Sequence, residues 1–198
     1  MNRSIYLTCP VLENDRVRLR PLAEEDFPHL LPFSLEEPTL WQYSLSSAAG
    51  EAQLREYIGA ALAGRAAGRE FPFIIYDKEK GQYAGCTRFY DIQEAFGSTQ
   101  LGYTWYGGAF QRTGLNRHCK FLLLRYVFED WGLERCEFRA DARNARSIAA
   151  MKAIGCVEEG ILRNHLPIPQ GGRRDSIVLS ILREEWPGVK ENLLSIIH

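Results

Sequence analysis

The spacing of apolar and polar positions changes several times along the chain, and each change marks an element. Residues 16–22 alternate charged and apolar side chains, the two-residue period of a half-buried strand closed by Pro21. Residues 23–33 read as a short helix whose acidic first turn, Glu24, Glu25 and Asp26, suits the positive end of a helix dipole. The Ala-rich stretch 50–68 reads as a second helix. Aromatic and β-branched runs at 71–76 and 83–90, separated by a polar turn, predict a hairpin, and 98–106 a third strand. Over 115–131 the period becomes helical. Cys119, Leu122, Leu123, Tyr126 and Val127 form one stripe, Phe121, Leu124, Phe128 and Trp131 a second, and Gly132 stops the helix. A strand at 135–140, a helix at 144–154 ended by Gly155, and strands at 156–163 and 175–182 complete the series. The predicted order is β-α-α-β-β-β-α-β-α-β-β. An antiparallel meander runs into a β-α-β crossover, which makes an α/β (α+β) fold with a mixed sheet flanked by helices.

Nothing divides this series. No repeat, low-complexity tract or linker interrupts it, so its 198 residues read as one domain with a core over about 11–190. Lys plus Arg number 24 and Asp plus Glu 25, a net charge of −1, which argues against direct binding to nucleic acid or an anionic membrane. No apolar run reaches the ~18 residues of a membrane span, and the first residues lack a signal pattern, so a cytoplasmic protein is expected. Cys9, Cys86, Cys119, Cys136 and Cys156 are odd in number, scattered and without a CxxC pair. Four of them sit in apolar strand or helix patterns and read as small buried hydrophobes, so neither a disulfide framework nor a metal site is expected.

Two segments carry candidate chemistry. In residues 103–116 a strand ends in a glycine-containing turn and a long helix starts at once. Backbone amides at such a start are unpaired and lie at the positive end of the helix dipole, which makes an anion site suited to phosphate. Gly114 lets the backbone approach the anion, and Arg112 adds charge. An ordinary turn has the same look. In residues 141–155, Ser147, Ala150, Met151 and Ile154 share a helical stripe with Asn144 one turn ahead, so two polar groups lead an apolar face. A ligand could satisfy them; so could a helix cap at Asn144 and a local carbonyl at Ser147.

Taken together, the run from Gln111 to Asn116, the helix with Lys120 and Phe128, the stretch from Asn144 to Arg163 and the stretch from Arg174 to Pro187 resemble the GNAT superfamily of acyl-CoA-dependent N-acetyltransferases. The likeness covers about residues 11–190 and is nearest to the RimJ/RimL-like branch, whose members acetylate N-terminal amines of ribosomal proteins or small amines. It implies a mostly antiparallel mixed sheet and acetyl-CoA as cosubstrate. It also implies that the amides of Gln111, Arg112, Thr113, Gly114, Leu115 and Asn116 cradle the CoA pyrophosphate. The backbone at Trp105 and Tyr106 would pair with the pantetheine arm like an added strand and polarise the thioester carbonyl. Asn144 would hold the pantetheine, and Ser147 would sit by the sulfur.

The chain departs from the family pattern in two places. Asn116 stands where the stricter loop motif ends in a small residue, and no Tyr occurs between Asp141 and Gly155 to protonate the leaving thiolate. Ser147, directly or through a water, is then the candidate acid. For the base, Asp91, Glu94, Glu137 and His165 are the candidates, each equally readable as a solvated strand-end or loop residue, and His118 reads as surface. The resemblance places the acceptor pocket between the first two helices and the loop 164–173. Phe33, Trp41 and Tyr43 line it or belong to the core, and Arg163, Arg173 and Arg174 face an acidic substrate or, at Arg174, pair with Asp175 on the surface. The expected partners are acetyl-CoA, a primary amine and, by resemblance, a second copy in a homodimer. The competing readings are transfer of another acyl group and a CoA-binding sensor or assembly module without catalysis. No GxxxxGK[ST] loop supports a nucleotide-triphosphate enzyme.

Overall fold

The computed structural model describes residues 10–169 and 171–197, so Cys9 and the first residues, read above for a signal pattern, lie outside the described part. A single eight-stranded sheet organises the chain, in the order β1-β2-β3-β4-β5-β6-β8-β7. Its strands are β1 (Leu12–Glu13), β2 (Val17–Pro21), β3 (Phe71–Asp77), β4 (Gln82–Gln93), β5 (Ser98–Tyr106), β6 (Arg135–Asp141), β7 (Val157–Pro167) and β8 (Arg173–Leu182). The helices are α1 (Phe27–Glu36), α2 (Glu51–Ala66), α3 (Leu115–Arg125), α4 (Ala145–Ala153) and α5 (Trp186–Ile197). Every strand pair is antiparallel except β5 with β6.

Side-chain alternation sends the apolar residues of each strand to opposite faces, and two cores result. Phe71, Phe73 and Ile75 of β3 join α3, Met151 and Ile154 of the α4 segment, and α5 in the larger core. Ile74 turns the other way, into a second core with Leu30 of α1 and Leu54, Tyr57, Ile58 and Ala61 of α2. Four cysteines, Cys86, Cys119, Cys136 and Cys156, are buried free thiols. No helix among the described residues is long and apolar enough to cross a membrane.

The predicted order needs two additions. Residues 12–13 add a short edge strand on β2, and α5 follows the last strand. Trp186, Val189 and Leu193 of α5 are buried at positions i, i+3 and i+7, a period present in the sequence but masked by Pro187, which the first helical turn tolerates. The third helix also changes character. Its α-helical part ends at Arg125, and Tyr126–Asp130 continue as a π-turn.

The feature that matters for function is the behaviour of β5. It pairs with β6 at only three positions, Ser98 with Arg135, Thr99 with Cys136 and Gln100 with Glu137. Beyond these the two strands part, so residues 101–106 have no strand on that side. Within the parted stretch β5 carries one extra residue: Cys86 faces Trp105 and Arg88 faces Gly102, two steps on β4 against three on β5. The extra residue is Tyr103, with φ of +50°. Nearby, Gly85 has φ of +153°, and a Cβ there would lie 2.0 Å from the Trp105 carbonyl oxygen. Gly85→Ala is therefore expected to lower unfolding stability by roughly 2–4 kcal/mol through strain and backbone displacement at the end of β5. Urea denaturation checks this, and an unchanged midpoint would contradict the close approach.

Candidate active site

Where β5 and β6 part, they enclose a cavity of about 560 Å³. One wall is β5 from Leu101 to Tyr106, the opposite wall is Phe138 to Asp141 of β6, and α4 contributes Asn144, Ser147, Ala150, Met151 and Ile154. The mouth is formed by Gln111, Arg112, Gly114, Asn116 and Arg117 at the start of α3. The structure thus brings together most of the residues singled out in the sequence: Trp105, Tyr106, Gln111, Arg112, Gly114, Asn116, Asn144 and Ser147. Thr113 and Leu115 do not line the cavity. The Thr113 hydroxyl donates to the Phe110 carbonyl at 2.8 Å, and the Leu115 side chain is fully buried in the core.

The mouth is built from main chain. Arg112 and Gly114 both have positive φ, +62° and +85°. Among the described residues, the amides of Arg112, Thr113 and Gly114 have no protein acceptor, and Gly114 caps α3. Successive free amides in this conformation form an anion-binding nest at the positive end of an 11-residue helix. A Cβ on Gly114 would meet nothing within 4 Å, so the space in front of the nest is open.

Side chains hold the mouth in place. Gln111 donates from Nε2 to the Tyr106 carbonyl at 2.8 Å and accepts from Arg146 of α4 at 2.7 Å, bridging the two walls. The Tyr106 hydroxyl donates to Asn116 Oδ1 at 3.1 Å, which accounts for the larger residue at position 116: it braces the β5 wall. Burial pushes the Tyr106 phenol well above its usual pKa, so it braces without exchanging its proton. The Trp105 side chain points away into the second core against Trp41, so this residue offers the cavity chiefly its backbone.

On α4 the cap expected at Asn144 is present, whereas the Ser147 hydroxyl bonds no carbonyl among the described residues. Asn144 caps the helix, its Oδ1 accepting from the Ser147 amide at 3.1 Å. Its side-chain NH2 and the Ser147 hydroxyl have no protein partner among the described residues, and both residues line the cavity.

The base candidates fare differently. None of Asp91, Glu94, Glu137 and His165 lines the cavity. Asp91 accepts from Gln93 and Gln100, Glu137 is held by Arg135 and Arg139, and Glu94 is exposed. His165 bonds Ser176 at 3.0 Å, with its pKa lowered by burial and by nearby arginines. His118 is half-buried beside Asn14. Asp141, the one carboxylate on the cavity wall among the described residues, is clamped by Arg143, which holds its pKa below the usual carboxylate range. Arg174 is buried and bonded to Ser176 and the Tyr43 carbonyl instead of pairing with Asp175 on the surface. Of the aromatic candidates, Trp41 and Phe33 pack in the core and Tyr43 lines the cavity. The described residues contain no cluster of three metal-ligating side chains.

Two groups have no assigned role in the sequence reading. Arg146 spans the mouth, and only its place two residues after the Asn144 cap, in the first turn of α4, hinted at this. Lys120 of α3 is 5% exposed and lines the cavity. It sits among apolar neighbours at a buried helical position, a pattern legible as a polar residue in the apolar stripe. Burial, with no carboxylate in pairing distance among the described residues, pulls its pKa from 10.5 down to about 8. The ammonium thus costs stability in full below pH 8, and the cost is relieved between pH 8 and 10.5, where the unfolded chain still binds the proton. Lys120→Met is expected to be more stable than wild type at pH 7 by on the order of 1–3 kcal/mol, with the gap closing as pH rises toward 10.5. Thermal unfolding across that pH range checks it, and a destabilised variant at neutral pH would contradict it.

Comparison with known proteins agrees with this geometry. Residues 16–157 match the family described as "Acetyltransferase (GNAT) domain". The chain is 27% identical over 191 residues to "Putative ribosomal N-acetyltransferase YdaF" of Bacillus subtilis (strain 168), covering 92% of this chain and 99% of that one. A GCN5-related N-acetyltransferase structure from Brucella melitensis superposes with a TM-score of 0.87 at 26% identity, over 95% of this chain and 85% of that one. The crystal structure of a "putative acetyltransferase" from T. thermophilus gives a TM-score of 0.86 at 32% identity, over 95% of this chain and 97% of that one. With the family matched over most of its length and relatives aligned almost end to end, this chain belongs to the GNAT acetyltransferases, as an enzyme of the N-acetyltransferase type.

Proposed function

We propose that this enzyme takes its acyl group from acetyl-CoA and passes it to a primary amine, a protein N-terminus or a small-molecule amine, by direct attack within a ternary complex. The observation that carries the reading is the parted sheet ending on the α3 nest: a slot with an unpaired strand edge along one wall and an anion site at its mouth. The CoA pyrophosphate fits the amides of residues 112–116, the Gln111 amide being taken by the Gly108 carbonyl at 3.1 Å, with Arg112, Arg117 and Arg146 supplying charge. The pantetheine arm adds to the free edge of β5 at Trp105 and Tyr106, while Asn144 bonds its amides and the Ser147 hydroxyl meets the sulfur.

An acceptor has its own space. A second cavity of about 400 Å³ lies between the α1–α2 connection (Ser46, Ser47), α2 (Gln53, Glu56), Glu70, Arg88 and Pro169 of the β7–β8 loop. It meets the first cavity at Tyr103, which lines both. Arg88 bonds Glu70 at 2.7 Å and stacks on Tyr57 and Tyr103, which fixes one carboxylate at the cavity wall beside Glu56. Two carboxylates suit an acceptor that arrives as an ammonium. Attack by the neutral amine forms a tetrahedral oxyanion, whose collapse breaks the C–S bond. Positioning of the two substrates and amide donors along β5 supply most of the acceleration.

The test is thiol release from acetyl-CoA with a panel of peptides starting with Ser, Ala or Met, polyamines, amino acids and aminoglycosides. Turnover with one class is expected. CoA binding without turnover on any amine would instead mark a sensor. Gly114→Val, which places a side chain in the open space of the nest, is expected to weaken CoA binding at least about tenfold, or ~1.4 kcal/mol. Normal use of acetyl-CoA by this variant would contradict the nest assignment.

A further inference from the structure

Lys120 reaches the slot from the α3 face of the sheet. Its Nζ donates to Thr104 Oγ1 of β5 at 3.0 Å, and it lies 5.7 Å from the centroid of the Phe138 ring on β6. It therefore spans the floor between the parted strands. Behind it Thr104 is backed by Thr87 at 2.7 Å, which fixes the hydroxyl that holds the ammonium. The titratable groups around it are Cys119 on its own helix, Cys136 of β6 and Cys156 ahead of β7. All three are buried thiols kept neutral by pKa values pushed up by burial. Among the described residues only one of the three ammonium hydrogens has an acceptor, and no carboxylate is among the charges that act on it. A buried cation left in this state needs a partner that the described residues do not supply.

The partner must come from the substrate, and the faces of the sheet say which part. The acceptor cavity opens on the α1–α2 side, whereas Lys120 rises from the α3 side. The ammonium is thus placed away from the incoming amine and toward the acyl-thioester end of the slot. Six residues of helix separate it from Gly114, about 9 Å along the axis, so it lines the slot one and a half turns beyond the nest. We propose that Lys120 is the general acid of the transfer, giving a proton from Nζ to the CoA sulfur as the C–S bond breaks. The new N–C bond takes the amine lone pair, the nitrogen sheds one proton to solvent to become the amide, the C–S electron pair goes to sulfur, and the Lys120 proton neutralises it as a thiol. Lys120 is left as a neutral amine and is reprotonated from solvent once CoA departs. Its lowered pKa, close to that of a thiol, matches donor to acceptor. The Ser147 hydroxyl, too weak an acid to supply the proton itself, orients the sulfur from the α4 wall.

This inference rests on the acetyl-CoA reading, and the experiment separates the two. Calorimetric titration of CoA is run on wild type, Lys120→Met and Lys120→Arg, alongside kcat with acetyl-CoA and with acetyl-seleno-CoA, whose selenolate leaves without a proton. Lys120→Met is expected to keep the wild-type CoA affinity within about threefold and lose about 10²–10⁴ in kcat with the thioester. With the selenoester it should lose far less. Lys120→Arg, charged but unable to release its proton, should not rescue. Full rescue by arginine would show that charge alone matters and overturn the acid. Equal losses with both donors, or loss of CoA binding by Lys120→Met, would overturn it also. Failure of wild type to bind CoA would remove the underlying reading instead.

Discussion

Main-chain amides and carbonyls buried in a sheet must find partners, and this fold leaves one set without them. β5 and β6 pair for three residues and then part in the middle of an eight-stranded sheet. An open strand edge is ordinarily a liability at the rim of a sheet. Here it lies inside the molecule, where only something entering between the strands can satisfy it. The rest of the molecule reads as support for that parting.

Several devices keep the parted strands from closing. The extra residue at Tyr103 breaks the regular rise of β5, and Gly85 lets β4 follow it at a distance no side chain would allow. Phe138, Lys120 and Thr104 fill the floor between the walls. Gln111 ties the end of β5 to α4 through Arg146, and Asn116 braces Tyr106. The two cores press on the sheet from opposite faces, so each wall is backed by packed side chains. Under the proposed function the labour divides by face: donor chemistry on the α3 and α4 side, acceptor entry on the α1 and α2 side.

Much of this was legible in the sequence. The strand and helix periods located nearly every element, because each has one face against a core. The break between Tyr106 and Leu115, and the polar pair leading the α4 stripe, located most of the slot. What escaped had no local signature. The bulge at Tyr103 depends on register with β4, and the parting of β5 from β6 depends on how far a pairing runs. Neither is written in the strand itself. Lys120 was visible as part of a resemblance but had no assigned role, since its meaning comes from the absence of a partner once the helix is packed. The weak base candidates failed for a similar reason: Glu137, Asp91 and His165 are carboxylates and an imidazole in the right region of sequence, but packing turned them to other partners.

The dependence of the whole site on unpaired backbone can be measured directly by amide hydrogen exchange with and without acetyl-CoA. If the parted strands hold the pantetheine arm and the nest holds the pyrophosphate, added acetyl-CoA should slow exchange in two stretches, residues 101–106 of β5 and residues 112–116 at the start of α3. Little change is then expected in the strand pairs that are already complete, such as β2 with β3. Protection that appears elsewhere, with both stretches exchanging as fast as in the free protein, would contradict the central role given to the parted sheet.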